Sequence, residues 1–208
     1  MITILDYGAG NLRSVENTLA VLGTSYQVTR DPLTLLSATK VILPGVGHFG
    51  QMMRSLDRMN IREPLLELIR NGVPFLGICL GLQALFESSE EAPDQRGLAI
   101  FPGAIRRFPA LARVPHMGWN QIEPVQESKL LGNLAAQPHL YFAHSYYAPI
   151  TTATTAVCNY SVPYTAILES NNIYGVQFHP EKSGPLGLAI IKNFIEQCSS
   201  SRADIPVR

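Results

Sequence analysis

Short apolar runs alternate with amphipathic stretches through the first half of the chain, and this alternation narrows the fold more than any other feature. Ile2 to Leu5 reads as a strand, and Asn11 to Leu22 carries a helical periodicity that stops at Gly23. Tyr26 to Thr29 and Lys40 to Leu43 read as further strands. Ile61 to Arg70 has helical spacing and ends at Asn71-Gly72. Phe75 to Ile78 reads as a short buried strand, followed at once by a helix through Phe86. Strands separated by helices in this way pair in parallel, so the order predicts an α/β fold with both sheet faces covered.

The second half is richer in strand signals. Tyr141 to Ala143, Thr155 to Tyr160, Thr165 to Glu169 and Ile173 to Phe178 are apolar or β-branched and are separated by Asn, Pro and Ser. They predict an antiparallel extension of the parallel sheet. A last helix is expected over Leu186 to Gln197, with Leu188, Ile190, Ile191, Phe194 and Ile195 on its apolar side. Residues from about 198 to 208 form a polar tail that is expected to fray. No repeat or low-complexity linker divides the chain, so residues 1–208 are read as a single domain.

Composition sets limits on partners and location. Hydrophobic residues make up 46% of the chain, enough for a sizeable core. Lys+Arg and Asp+Glu count 16 each, and no basic run occurs, which argues against nucleic acid. Only 15% of residues are charged, which favours a protein that buries part of its surface on a partner. The N-terminus lacks the pattern of a signal peptide, and runs such as Val73 to Leu80 are too short to span a bilayer. The expectation is therefore a cytoplasmic protein without a membrane role. Cys79, Cys158 and Cys198 lie far apart, and no Cys-x-x-Cys or Cys/His cluster suggests a disulfide framework or a zinc site.

The chemistry concentrates at Pro74-Phe75-Leu76-Gly77-Ile78-Cys79-Leu80-Gly81-Leu82-Gln83, where an apolar strand runs through Gly-x-Cys-x-Gly into a helix. This is the setting of a nucleophile elbow with cysteine as the nucleophile. So tight a turn strains the backbone, and the residues two before and two after must be small. Free N–H groups where the helix begins favour a thiolate, and that of Leu80 is placed to receive an oxyanion. A buried core cysteine is the bland alternative. A base is needed within reach, with a third group to orient it. The strand Tyr174 to Phe178 ends in His179-Pro180-Glu181, which supplies both at the carboxyl edge of the sheet.

Gly77-Ile78-Cys79-Leu80-Gly81-Leu82-Gln83 together with His179-Pro180-Glu181 resembles the signature of class I glutamine amidotransferases, which have a flavodoxin-like fold. Leu82 stands where that family often has Met. Asp6 to Leu12, Leu43 to Gly50, Pro115 to Asn120, Tyr141 to Tyr147 and Gly175 to Ser183 extend the likeness over almost the whole chain. The set is similar to the branch of glutaminase subunits that serve imidazole glycerol phosphate synthases.

The resemblance implies a Cys79–His179–Glu181 triad that hydrolyses glutamine through a thioester, with no metal or organic cofactor. It implies an oxyanion strand at Pro44-Gly45-Val46-Gly47, where backbone N–H groups of Val46 and Gly47 join that of Leu80. That loop lacks the Lys-Ser/Thr of a phosphate-binding loop, and a plain structural turn is its bland reading. Gln83 and Glu91 are implied to hold the α-amino and carboxyl ends of glutamine, with Glu90 a rival for Glu91. Backbone at Gly47, Ser145 and Tyr146 completes the implied pocket. Asn11, Arg13, Trp119, Asn120 and Lys182 match positions that face the synthase, a TIM-barrel cyclase expected to form a heterodimer and receive the ammonia. A turn of the Val46 peptide coupled to that docking is a further expectation. The triad defines the ammonia donor alone. A glutaminase feeding a sugar or polysaccharide amination, a stand-alone γ-glutamyl hydrolase and a silent binding subunit therefore stay open on these residues.

Overall fold

The computed structural model describes residues 1–8, 11–132, 134 and 137–200. In chain order the elements are β1 (Ile2–Leu5), α1 (Leu12–Val21), β2 (Tyr26–Thr29), α2 (Pro32–Leu36), β3 (Val41–Leu43), α3 (Phe49–Arg58), α4 (Arg62–Arg70) and β4 (Phe75–Ile78). There follow α5 (Leu80–Gln83), β5 (Phe86–Ser89), β6 (Phe101–Arg107), β7 (His116–Pro124), β8 (His139–His144) and β9 (Tyr146–Tyr147). The last are β10 (Thr154–Tyr160), β11 (Val162–Ser170), β12 (Ile173–Val176), a 3₁₀ turn (Pro180–Lys182) and α6 (Gly184–Gln197).

The main sheet has the order β2-β1-β3-β4-β12-β11-β10-β7-β8. Its first five strands pair in parallel and its last four join as antiparallel neighbours. The parallel half follows the flavodoxin-like order, and ligands bind such sheets at the carboxyl ends of the strands. A small sheet, β5-β6-β9, lies apart from it.

Successive strand residues face opposite sides, and the core divides accordingly. Val41, Leu43 and Phe75 pack with Met52, Met53, Leu56, Leu65 and Ile69 of α3 and α4. Ile42, Leu76 and Ile78 pack with Val15, Leu19, Ile190, Ile191 and Phe194 of α1 and α6. This is the covering of both faces that the strand–helix alternation predicts.

Three readings are corrected or extended. The helix after Cys79 is a single turn that ends at Gln83, and Phe86 opens strand β5 instead. The Leu85 carbonyl accepts the N–H groups of Ile100 and Phe101, and β5 pairs with β6, so tertiary pairing overrides the helical spacing. Cys198 is buried, not frayed; Lys40 Nζ donates to the carbonyls of Phe194, Ile195 and Cys198 and pins the end of α6. Residues 201–208 of the expected tail lie outside the described ones. Helices α2 and α3 add to those expected. Asp31 caps α2 by accepting the Thr34 N–H at 2.7 Å, and Phe49, Met52, Met53 and Leu56 form the buried side of α3.

Candidate active site

β4 and β12 are parallel neighbours, with Val176 opposite Ile78. The residues that follow each strand therefore emerge side by side at the carboxyl edge, Cys79 from one and Gln177 to His179 from the other. The Cys79 N–H donates to the Val176 carbonyl at 2.7 Å, which fixes the elbow to the neighbouring strand. Cys79 has φ 53° and ψ −106°, a left-handed backbone that is unusual for a residue other than glycine. The flanking glycines are required by contact. A Cβ on Gly77 would run into the Gly81 carbonyl, and one on Gly81 would run into the Leu43 carbonyl. As the first residue of α5, Leu80 has an N–H with no acceptor inside the helix.

His179 Nδ1 lies 2.9 Å from Glu181 Oε1, and both side chains are almost wholly buried. The second oxygen, Oε2, is buried without a hydrogen-bond partner, so His179 is the group that balances this carboxylate. Burial alone would lower the His179 pKa. The Cys79 sulfur beside it and the Glu181 carboxylate outweigh burial and push it up to about 10. The arrangement can hold a proton on imidazole next to a nucleophilic sulfur. Gln177 Nε2 donates to Cys79 Sγ at 3.5 Å. No sequence signal pointed to this contact, although Gln177 precedes His179 by only two residues.

A cavity of about 230 Å³ opens beside Cys79. Val46, Gly47, Leu80, Gln83, Glu91, Ser145, Tyr146 and His179 all line it, so the sequence-predicted residues other than Glu181 and the docking group meet there. Glu91 Oε2 accepts the Phe49 N–H at 2.6 Å at the start of α3. Its rival Glu90 is bonded instead to the Arg107 N–H on the small sheet. Gln83 Nε2 donates to both the Tyr146 carbonyl, at 2.8 Å, and Gln177 Oε1, at 3.1 Å. Both of its N–H groups are thereby used, and only its carbonyl oxygen is left for a ligand.

Behind the cavity lies a buried relay that sequence reading missed. Burial pushes His116 down to about 4 and His144 down to about 3, so both rings are neutral. His144 Nδ1 lies 2.8 Å from the Tyr146 carbonyl and must carry the proton. His144 Nε2 then accepts from the Tyr164 hydroxyl at 3.2 Å, and Tyr164 accepts from His116 Nδ1 at 3.1 Å. His116 Nε2 is left to accept from Asn120 Nδ2 at 3.4 Å. The polarity of the chain is thus fixed from Asn120 to the cavity rim.

The expected oxyanion strand is held at Val46 by a buried tyrosine. The Val46 N–H donates to the Tyr7 hydroxyl at 3.1 Å, and that hydroxyl donates to the Val46 carbonyl at 2.8 Å. Burial pushes the Tyr7 phenol up to about 12, more than the Val46 contact lowers it, so it is protonated and able to donate.

None of the expected docking residues lines the cavity. Trp119 is 57% exposed and takes no part in the core. Its ring meets Tyr141 edge to face, with centroids 6.2 Å apart, and Lys182 Nζ stands 5.9 Å above the same Tyr141 ring. Met117, which lines the cavity, is also exposed. Arg13 is exposed and Asn11 half-buried at the start of α1. Among the described residues, no three His, Cys, Asp or Glu side chains gather to hold a metal, and no helix is long and apolar enough to cross a membrane.

The description "Glutamine amidotransferase class-I" fits residues 3–198 of this chain. The imidazole glycerol phosphate synthase subunit HisH of Methanothermobacter thermautotrophicus is 49% identical over 197 residues, 94% of this chain and 98% of that protein. The chloroplastic imidazole glycerol phosphate synthase hisHF of Arabidopsis thaliana is 43% identical over 201 residues, covering 94% of this chain but 34% of that longer protein. A solved structure described as a glutamine amidotransferase superposes with a TM-score of 0.75 over 95% of this chain and 98% of the other, at 17% identity, a likeness of fold.

Proposed function

The chain belongs to the class-I glutamine amidotransferase family, and we infer that it is the glutaminase subunit of an imidazole glycerol phosphate synthase, acting in histidine biosynthesis. The observation that carries the mechanism is the buried His179–Glu181 pair beside a sulfur held on a left-handed turn. His179 takes the Cys79 proton, and the thiolate attacks the side-chain amide carbon of glutamine. The carbonyl electrons move onto oxygen, where the N–H groups of Leu80, Val46 and Gly47 receive the charge. His179 returns its proton to the amide nitrogen, the C–N bond breaks and ammonia leaves. Water, giving its proton to His179, then opens the glutamyl thioester to glutamate and the free thiol. Glu181 orients the imidazole and stabilises its cation without taking the proton.

Substrate orientation follows from donor and acceptor types. The free carbonyl oxygen of Gln83 and the carboxylate of Glu91 are acceptors, suited to the α-ammonium of glutamine. The α-carboxylate needs donors, and backbone N–H groups at Ser145 and Tyr146 meet that need, with the backbone at Gly47 completing the pocket.

The ammonia acceptor sits on a partner, a TIM-barrel cyclase with which this chain forms a heterodimer in the cytoplasm. There ammonia enters imidazole glycerol phosphate, with an aminoimidazole carboxamide ribonucleotide as the second product. The Arabidopsis relative supports this, since two thirds of that synthase extends beyond the part matched here. Asn11, Arg13, Trp119, Asn120 and Lys182 form the docking face. The group of exposed Trp119, half-buried Tyr141 and exposed Lys182 has the aromatic and cationic character of an interface anchor.

Replacing Cys79 with Ala in the complex tests the reading. Glutamine-dependent synthesis should stop while synthesis from added ammonia continues. Unchanged glutamine hydrolysis by that variant would overturn the assignment.

A further inference from the structure

Gln177 is wholly buried and takes no part in the chemistry proposed above, yet it touches the nucleophile. Its Nε2 donates to Cys79 Sγ at 3.5 Å, and its Oε1 accepts from Gln83 Nε2 at 3.1 Å. A side-chain amide turned over exchanges its oxygen and nitrogen, so the sense of these bonds depends on a partner that cannot reverse. The Tyr146 carbonyl is that partner. It can only accept, and it takes a bond from Gln83 at 2.8 Å, which places the nitrogen of Gln83 on this side. The same nitrogen faces Gln177, so Gln177 must meet it with oxygen and turn its N–H groups to the sulfur. With the opposite sense, two buried donors would face each other unpaired.

The backbone holds this amide beside the elbow. The Gln177 N–H donates to the Ala166 carbonyl at 2.9 Å, and the carbonyl of Val176, one residue before, accepts the Cys79 N–H at 2.7 Å. Nucleophile and amide therefore hang from the same strand pairing. His179 is hydrogen-bonded to the same sulfur, but its proton goes to the departing nitrogen in each turnover. An amide N–H keeps its proton. The sulfur carries charge twice in the cycle, when the thiolate attacks glutamine and when the thioester collapses and expels it. A donor fixed in place at both moments favours the charged sulfur over the neutral one, because hydrogen bonds to ionised acceptors are the stronger ones.

We propose that Gln177 is a catalytic residue, a permanent N–H donor to the Cys79 sulfur that stabilises the thiolate both as nucleophile and as leaving group. The role rests on the glutaminase reading above and adds a contact to the reacting atom of that site. Gln83 fixes the sense of the Gln177 amide. The group read above as receiving the α-ammonium of glutamine thus also aims the donor at sulfur.

The Gln177→Met variant keeps the length of the side chain and removes the donor. Alkylation of Cys79 by iodoacetamide, followed on the Cys79 peptide by mass spectrometry, should slow by about tenfold at neutral pH. The pH midpoint of that alkylation should move up by about one unit. In the complex, kcat for glutamine hydrolysis should fall by about tenfold or more. An alkylation profile identical to that of the wild-type chain would overturn the role. So would a rise in KM alone, which would leave Gln177 as no more than a support for Gln83. The wild-type arm separates the two claims. Absence of glutamine hydrolysis even in the wild-type complex sinks the glutaminase reading and the role with it, whereas hydrolysis there with an unmoved profile in the variant sinks the role alone. The side-chain ¹⁵N–¹H resonances of Gln177 give a measurement that does not depend on the variant folding. In the wild-type chain they should titrate with the midpoint of Cys79 alkylation, and resonances unmoved across that midpoint would contradict the proposal.

Discussion

The phenolic oxygen of Tyr164 stands between two histidines, 3.1 Å from Nδ1 of His116 and 3.2 Å from Nε2 of His144. With both rings neutral, it must accept from the first and donate to the second. That places one hydroxyl in control of two buried tautomers and, through His144, of the Tyr146 carbonyl at the cavity rim. Replacing Tyr164 with Phe leaves a donor and an acceptor unpaired in the core. The expected loss is about 2 kcal/mol of stability, measurable by denaturant unfolding. KM for glutamine should rise by about tenfold with kcat little changed, since the rim binds substrate and does not react. A loss confined to kcat would place Tyr164 in the chemistry.

The His179–Glu181 pair makes a prediction in pH. His179 is held above its ordinary value, up to about 10. A group raised on folding stabilises the folded chain fully below its unfolded value, about 6.5. That contribution is lost as pH climbs toward 10. Glu181→Gln removes a charge that raises the imidazole pKa. The alkaline fall in kcat/KM should move to lower pH, and the decline of thermal stability between pH 6.5 and 10 should flatten. Identical alkaline limbs in the two proteins would show that Glu181 does not tune His179.

Trp119 is exposed and meets Tyr141 edge to face. Trp119→Ala should therefore leave folding and alkylation of Cys79 intact. Affinity for the cyclase should drop by about 2 kcal/mol, the loss typical of a buried aromatic anchor, as read by calorimetric titration. Equal affinity of both proteins would remove this residue from the docking face.

Much of this is legible in the sequence alone, for physical reasons that differ from residue to residue. Ile2 to Leu5 and Phe75 to Ile78 are mainly apolar because central parallel strands are buried on both faces, and their limits coincide with β1 and β4; Tyr26 to Thr29 coincides with β2, an edge strand that is only partly buried. The elbow was legible because Gly77 and Gly81 answer a contact that no side chain tolerates. The continuation of α5 to Phe86 was not, because Leu82, Leu85 and Phe86 have helical spacing while pairing with β6 decides their conformation. Helix α3 carried a regular pattern at Phe49, Met52, Met53 and Leu56, obscured by the glycine-rich stretch just before it. The relay and the Tyr7 bonds were hidden because they join side chains and backbone that are dozens of residues apart. Residue type alone says nothing about where a hydroxyl points.

The glutaminase rate of the wild-type chain, measured alone and with the TIM-barrel cyclase subunit and its nucleotide substrate, bears most directly on the whole account. The free chain should hydrolyse glutamine slowly, and the rate should rise by about 100-fold in the loaded complex, the worth of one oxyanion donor brought into place. In the loaded complex glutamate and imidazole glycerol phosphate should form in equal amounts, and Cys79→Ala should abolish both. An equal rate with and without the partner would contradict it.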